Sequence, residues 1–161
     1  MIGLYIHCPF CVSKCHYCDF YSVVYRNDLM DAFVDAVILE AQSYSGMRFE
    51  TIYIGGGTPS LLGGRRLERL MRGLGQVFDL GAVTEGTIEV NPESASDEVL
   101  ETALTLGLNR VSVGVQSLSD SELRSAGRIH TAAQAVEAVV RAGRVGFRNL
   151  SADVIVGLPG Q

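Results

Sequence analysis

Five apolar segments of strand length, 4–8 (LYIHC), 51–55 (TIYIG), 86–90 (GTIEV), 110–116 (RVSVGVQ) and 151–157 (SADVIVG), alternate along this chain with longer stretches of helical period. Gly, Pro, Asn or Ser punctuates each junction. Leu29, Phe33, Val37 and Tyr44 recur at roughly helical spacing, as do Leu67, Leu70, Met71, Leu74 and Phe78, and later Val99, Ala103 and Leu106. Ser119 followed by Glu122 predicts a capping box opening a short helix, and a further helix is expected over about 131–142. Strand, helix and strand repeated in this way predict an α/β fold with a parallel sheet and right-handed crossovers.

The strands carry a second signal. Strands of a parallel sheet usually read as continuous apolar runs, yet here one face is apolar and the other small or polar. Val111, Val113 and Val115 alternate with Ser112, Gly114 and Gln116, while Ile88 and Val90 alternate with Thr87, Glu89 and Asn91. Ser151 and Asp153 continue the pattern in the fifth strand, and Tyr5 and His7 in the first. With helices on the valine face, the other face lines a polar interior. A curved sheet wrapped round a ligand needs such an interior, with working residues at the C-terminal ends of the strands.

The 161 residues suffice for one sizeable core, and 47% hydrophobic with 19% charged residues is a globular composition. No basic stretch precedes an apolar run at the start, and no apolar window has bilayer-spanning length, so the expected setting is the cytoplasm, with no integral membrane segment. Thirteen basic against 18 acidic residues give a net charge of -5 without a Lys/Arg block, which excludes the usual nucleic-acid-binding surface. The sequence stops at GLPGQ directly after the fifth strand, leaving an apolar edge. We therefore expect residues 1–161 to be the core domain of a longer protein, truncated after that strand, with a C-terminal region absent.

All four cysteines fall between Cys8 and Cys18. In a reducing compartment such a cluster points to metal or redox chemistry rather than disulfides. Cys11, Cys15 and Cys18 have the spacing Cys-x3-Cys-x2-Cys and follow the first strand. Thiolates favour zinc or iron–sulfur clusters, and a loop this tight can offer three sulfurs to three irons of a cubane, leaving the fourth iron open. Paired zinc ligands are normally separated by a longer loop. Ligation by Cys8 as well would close the cluster and make an electron carrier; a buried, inert thiol is the opposing reading.

The segments YIHCPFCVSKCHYCDF, IYIGGGTPSLL, TIEVNPE, VSVGVQS, GRIH and DVIVGLPGQ resemble, in that order, the motifs of the radical S-adenosylmethionine superfamily. Within it they are similar to the oxygen-independent coproporphyrinogen III oxidases and, more closely, to their relatives the HemW haem chaperones. The resemblance spans essentially the whole chain. It implies a parallel-stranded partial (β/α) barrel, with about five of six strands present. It also implies that Cys11, Cys15 and Cys18 hold a [4Fe–4S] cluster whose open iron chelates S-adenosylmethionine, and that an external one-electron reductant supplies the electron that cleaves the sulfonium. Gly55, Gly56, Gly57 and Thr58 match the strand edge that contacts the methionine end of the cofactor. Glu89, Gln116, Arg128 and Asp153 match polar cofactor-contacting positions, with Tyr5 and Tyr17 flanking it. Arg128 is expected to pair with a carboxylate, Asp153 among the candidates.

Read without the family, GGGTPS is a strand-to-helix turn; Ser60 stands where a Rossmann fingerprint has its last glycine, and a P-loop lysine is lacking. Asp153 also reads as half of a structural ion pair, and Glu89 as a solvent-facing carboxylate. His7, His16 and His130 suit hydrogen-bonding or capping roles better than metal ligation. The oxidases usually place a further cysteine two positions after the last ligand, where this chain has Phe20. The resemblance therefore implies a haem-binding chaperone, with haem or porphyrin as partner in the full-length protein. The porphyrinogen oxidase and the four-cysteine electron carrier are the alternatives.

Overall fold

The computed structural model describes residues 2–158, 160 and 161; Met1 and the Pro159 of the last motif lie outside the described residues. The chain runs through β1 (Gly3–Cys8), β2 (Phe10–Cys11), β3 (Val23–Val24), α1 (Asn27–Ala41), β4 (Thr51–Gly56), α2 (Gly63–Val77), β5 (Glu85–Val90), α3 (Asp97–Thr105), β6 (Arg110–Gln116), α4 (Asp120–Ser125), α5 (Ala132–Val145) and β7 (Asn149–Val154). β1, β4, β5, β6 and β7 form one sheet in that order, parallel throughout, and β2 pairs with β3 as a separate ribbon. Parallel neighbours require crossovers, and α1, α2, α3 and α5 occupy them.

The valine face of the sheet is the core. Val111, Val113 and Val115 are buried, together with Ile52, Ile54, Ile88 and Val90, against Leu67, Leu70, Met71 and Leu74 of α2 and Ala135, Ala138 and Ala142 of α5. Each fully buried Leu or Ile contributes about 2 kcal/mol. The opposite face carries Thr87 and Ser151, which accept from Arg110, and Ser112, which accepts from Ser151, rather than being covered by a helix. The alternation in the sequence thus separates a dry side from a polar one. Among the described residues no helix is long and apolar enough to cross a membrane.

Three local expectations are corrected. In α1, Met30, Val34 and Ala41 face the core, whereas Leu29 is 41% exposed and Tyr44 lies in a 3-10 turn beyond the helix. α4 forms, but Ser119 does not cap it: the Ser117 hydroxyl donates to Glu122 at 2.5 Å and accepts the Ser119 N–H at 3.0 Å, so Glu122 has no free reach to the cap. The capping box instead opens α5, between Thr131 and Gln134. β7 ends at Val154 rather than 157, because its register against β6 slips after Val113 and the Ile155 N–H turns to the Gln116 carbonyl. Gln116 sits at that slip with φ +65°, the one positive value among the described non-glycine residues.

Candidate functional site

The cysteine loop leaves β1 and folds back across the C-terminal edge of the sheet. Backbone bonds hold it: Gly57 N–H donates to Cys8 O at 2.7 Å and Thr58 N–H to Phe10 O at 2.8 Å. On its far side, Val23 and Tyr25 donate to Pro9 O and Cys11 O. Phe10 is buried and meets Phe33 edge-on, with ring centroids 5.4 Å apart, which anchors the loop in the core.

The glycines have separate reasons. Gly56 has φ +105°, a conformation side chains rarely adopt, and a Cβ there would lie 2.6 Å from the His7 ring. At Gly57 a Cβ would meet Phe10 O at 2.7 Å, Cys8 O at 2.9 Å and Cys11 Sγ at 3.0 Å. The loop can approach the strand only because that atom is missing.

Each of the three histidines holds the surrounding backbone through a ring nitrogen. His7 Nε2 donates to Tyr21 O at 2.8 Å, so its Nδ1 takes the Tyr5 hydroxyl at 3.0 Å. His16 donates its Nδ1–H to Ser125 O at 2.9 Å and its backbone N–H to Ala126 O at 3.0 Å, pinning the cysteine loop to the end of α4. His130 is buried and donates from Nε2 to Val115 O at 3.1 Å.

Cys11, Cys15 and Cys18 line one cavity of about 240 Å³ at the mouth of the sheet, shared with Tyr17, Gly56, Gly57, Thr58, Glu89, Gln116, Arg128 and Asp153. Tyr5 and Gly55 do not line it. Tyr5 faces the polar interior beside Tyr53, and Gly55 packs against the Tyr53 ring and the Glu89 carboxylate. Cys8 is fully buried in the core, and burial pushes its thiol up to about 12. Burial also raises Cys11, against hydrogen bonds from Thr58 and Ser22 that favour the thiolate. Among the described residues no three His, Cys, Asp or Glu side chains gather tightly enough to hold a single metal ion.

Glu89 is fixed by two donors, the Tyr53 hydroxyl at 2.5 Å and the Gly56 N–H at 3.0 Å. It is a half-buried acceptor under the glycine edge rather than a solvent-facing carboxylate. Among the described residues Arg128 meets no carboxylate at salt-bridge distance, Asp153 included. Its Nη2 donates to Asn91 Oδ1 at 2.7 Å and Gly114 O at 3.1 Å, and its Nη1 points to Cys15 Sγ at 3.6 Å. Burial works against the guanidinium charge, but Tyr17, Cys15 and Glu93 outweigh it and hold Arg128 above the ordinary arginine value. Burial likewise pushes Tyr17 up to about 12, with Arg128 opposing and Cys15 reinforcing. Asp153 accepts from Ser112 instead of from an arginine.

Asn91 and Glu93 also line the cavity, although the sequence alone gave them no role. Asn91 bridges Arg128 to the glycine edge, donating to Thr58 Oγ1 at 2.9 Å. Its signal was present, since it continues the polar alternation of Thr87 and Glu89 to the strand end. Glu93 stands behind Arg128, its Oε2 3.3 Å from His130 Nδ1 but out of line for a hydrogen bond, so that buried oxygen has no hydrogen-bond partner. Burial alone would raise the Glu93 carboxyl; contact with His130, its own N–H and Arg128 bring it below the usual range.

The family model of the Radical SAM superfamily matches residues 5–161. The haem chaperone HemW of Lactococcus lactis is 42% identical over 157 residues, which cover 98% of this chain and 41% of the relative. HemW of Escherichia coli is 38% identical over 165 residues, covering 99% and 44%. Among solved structures, coproporphyrinogen III oxidase (HemN) from Escherichia coli, a Radical SAM enzyme, superposes with a TM-score of 0.87 at 31% identity over 99% of this chain and 38% of that one. The chain therefore spans about two fifths of the length of these relatives.

Proposed function

The chain belongs to the radical SAM superfamily, and from that premise we propose that it is the cofactor-binding core of a HemW-type haem chaperone. Membership implies a [4Fe–4S] cluster and S-adenosylmethionine. The observation that carries the finer reading is the run of HemW relatives at 36 to 42% identity. Phe20, standing where the oxidases usually have a cysteine, points the same way.

The residues present fit the implied groups. Three soft thiols on one loop face one cavity without closing on a point, a donor set that separate irons of a cluster can share. Cys8 is buried in the core, so Cys11, Cys15 and Cys18 are the thiols that would hold the cluster. When bound, the reduced cluster supplies one electron to the sulfonium of S-adenosylmethionine.

The chain's own residues then bind and orient. Cys11, Cys15 and Cys18 hold the cluster; Gly56, Gly57 and Thr58 offer a backbone edge free of side chains. Glu89, held by Tyr53 and Gly56, accepts from ligand hydroxyls. Gln116 and Asp153 present polar groups at the strand ends, and Tyr17 closes one flank. Arg128, locked by Asn91 and Gly114, keeps a positive charge beside Cys15. Tyr5 and Gly55 support this edge from below. Haem or porphyrin as partner, an external one-electron reductant and a cytoplasmic setting belong to the same reading.

The likeness to HemN favours porphyrinogen oxidation as the second reading. The test is anaerobic reconstitution of the protein, followed by haem titration and incubation with coproporphyrinogen III. Haem binding without decarboxylation supports the chaperone; decarboxylation replaces it with the oxidase.

A further inference from the structure

Below the cavity, on the polar face of the sheet, four side chains from β6 and β7 form a chain with only one possible direction. Arg110 can only donate, and its Nη2 gives to Ser151 Oγ at 2.9 Å. Asp153 accepts from Ser112 Oγ at 3.0 and 3.1 Å, which uses the single hydroxyl proton of Ser112. The 2.9 Å contact between the two serines must therefore run from Ser151 to Ser112. Every proton points from Arg110 toward Asp153.

The sheet register makes this possible. Ser112 lies opposite Ser151 in the parallel ladder, and Asp153 follows two residues after Ser151, within the slip between the Val113–Ala152 and Gln116–Val154 pairs. Asp153 itself is exposed, and among the described residues Ser112 is the hydrogen-bond donor to its carboxylate. Ser112, by contrast, is buried, and Arg110 is held a second time by Thr87 Oγ1 at 3.3 Å. Aligned hydrogen bonds polarise one another, so a fixed arginine at the base strengthens the bond at the top.

We propose that Arg110, Ser151 and Ser112 form a one-way donor relay that orients the Asp153 carboxylate at the cavity, making all three positioning residues for S-adenosylmethionine. This rests on the reading of Asp153 as a cofactor-contacting residue given above. A polar interior that merely satisfies its own hydrogen bonds would leave cofactor affinity untouched when the relay is cut.

The experiment is a titration of the reconstituted, reduced protein with S-adenosylmethionine, followed by the change in the cluster's electron paramagnetic resonance. Ser112→Ala and Ser151→Ala are expected to bind about tenfold more weakly at unchanged iron content, the loss of one hydrogen bond to a charged group. Ser151→Thr, which keeps the hydroxyl, restores binding. Ser112→Ala combined with Asp153→Asn binds no more weakly than Asp153→Asn alone. Wild-type affinity in Ser112→Ala, or losses that add in full in the double variant, overturns the relay alone. No response in the wild type removes the cofactor reading, and the relay with it.

Discussion

Arg128 Nη1 lies 3.6 Å from Cys15 Sγ, 113 residues away in sequence, while Asn91 and Gly114 hold the other guanidinium nitrogen. A fixed positive charge beside a cluster thiol favours the reduced, more negative cluster. Arg128→Met is expected to lower the cluster midpoint potential by roughly 40 mV, the equivalent of about 1 kcal/mol for one electron. Redox titration of the reconstituted protein measures it, and an unchanged or higher potential contradicts the assignment.

Cys8 makes the opposite case. Its thiol is buried in the core, where burial pushes it up to about 12, and the side chain packs among apolar neighbours. Cys8→Ala is expected to keep full iron and sulfide content while costing about 1 kcal/mol of stability for the lost packing. Loss of the cluster in that variant would establish the four-thiol electron carrier instead.

Gly57→Ala puts a methyl 2.7 Å from Phe10 O and 3.0 Å from Cys11 Sγ. The loop must lift off the strand, breaking the Gly57-to-Cys8 bond. Iron incorporation should fall severalfold with far-ultraviolet circular dichroism unchanged; normal incorporation counts against a need for this close approach of loop and strand.

Glu93 gives a pH dependence. Its folded pKa is lowered, so its ionised form contributes stability that is complete above the ordinary value of 4.5 and is lost as pH falls through the lower folded value. The melting temperature of the wild type minus that of Glu93→Gln should be constant above pH 5 or so and shrink below 4.5. A difference that grows on acidification contradicts the sign.

The sheet was legible because its two faces have opposite chemistry: Val111, Val113 and Val115 against Ser112, Gly114 and Gln116 declare a covered and an uncovered side. The spacing of Cys11, Cys15 and Cys18 was enough to put the three thiols on one loop after the first strand. Partnerships were not legible. Arg128 meets Asn91 and Cys15 only once α4 has been folded over the sheet end, and no spacing in the sequence encodes that approach. Ser119 looked like a cap because Glu122 stood three residues on, yet Ser117 competes for the same carboxylate at 2.5 Å. β7 was drawn too long because apolar residues continue past Val154, while the backbone there already turns to Gln116.

The cysteine loop is fastened to the sheet by main-chain groups at Cys8, Phe10, Gly57 and Thr58, and to α4 by His16. Val12, Ser13 and Lys14, the three residues between Cys11 and Cys15, are exposed and take no part in that fastening. The loop's shape and its outer chemistry are thus separable properties. Substitution at these three positions can therefore change the charge and polarity of the loop's rim without disturbing the main-chain frame that presents the thiols.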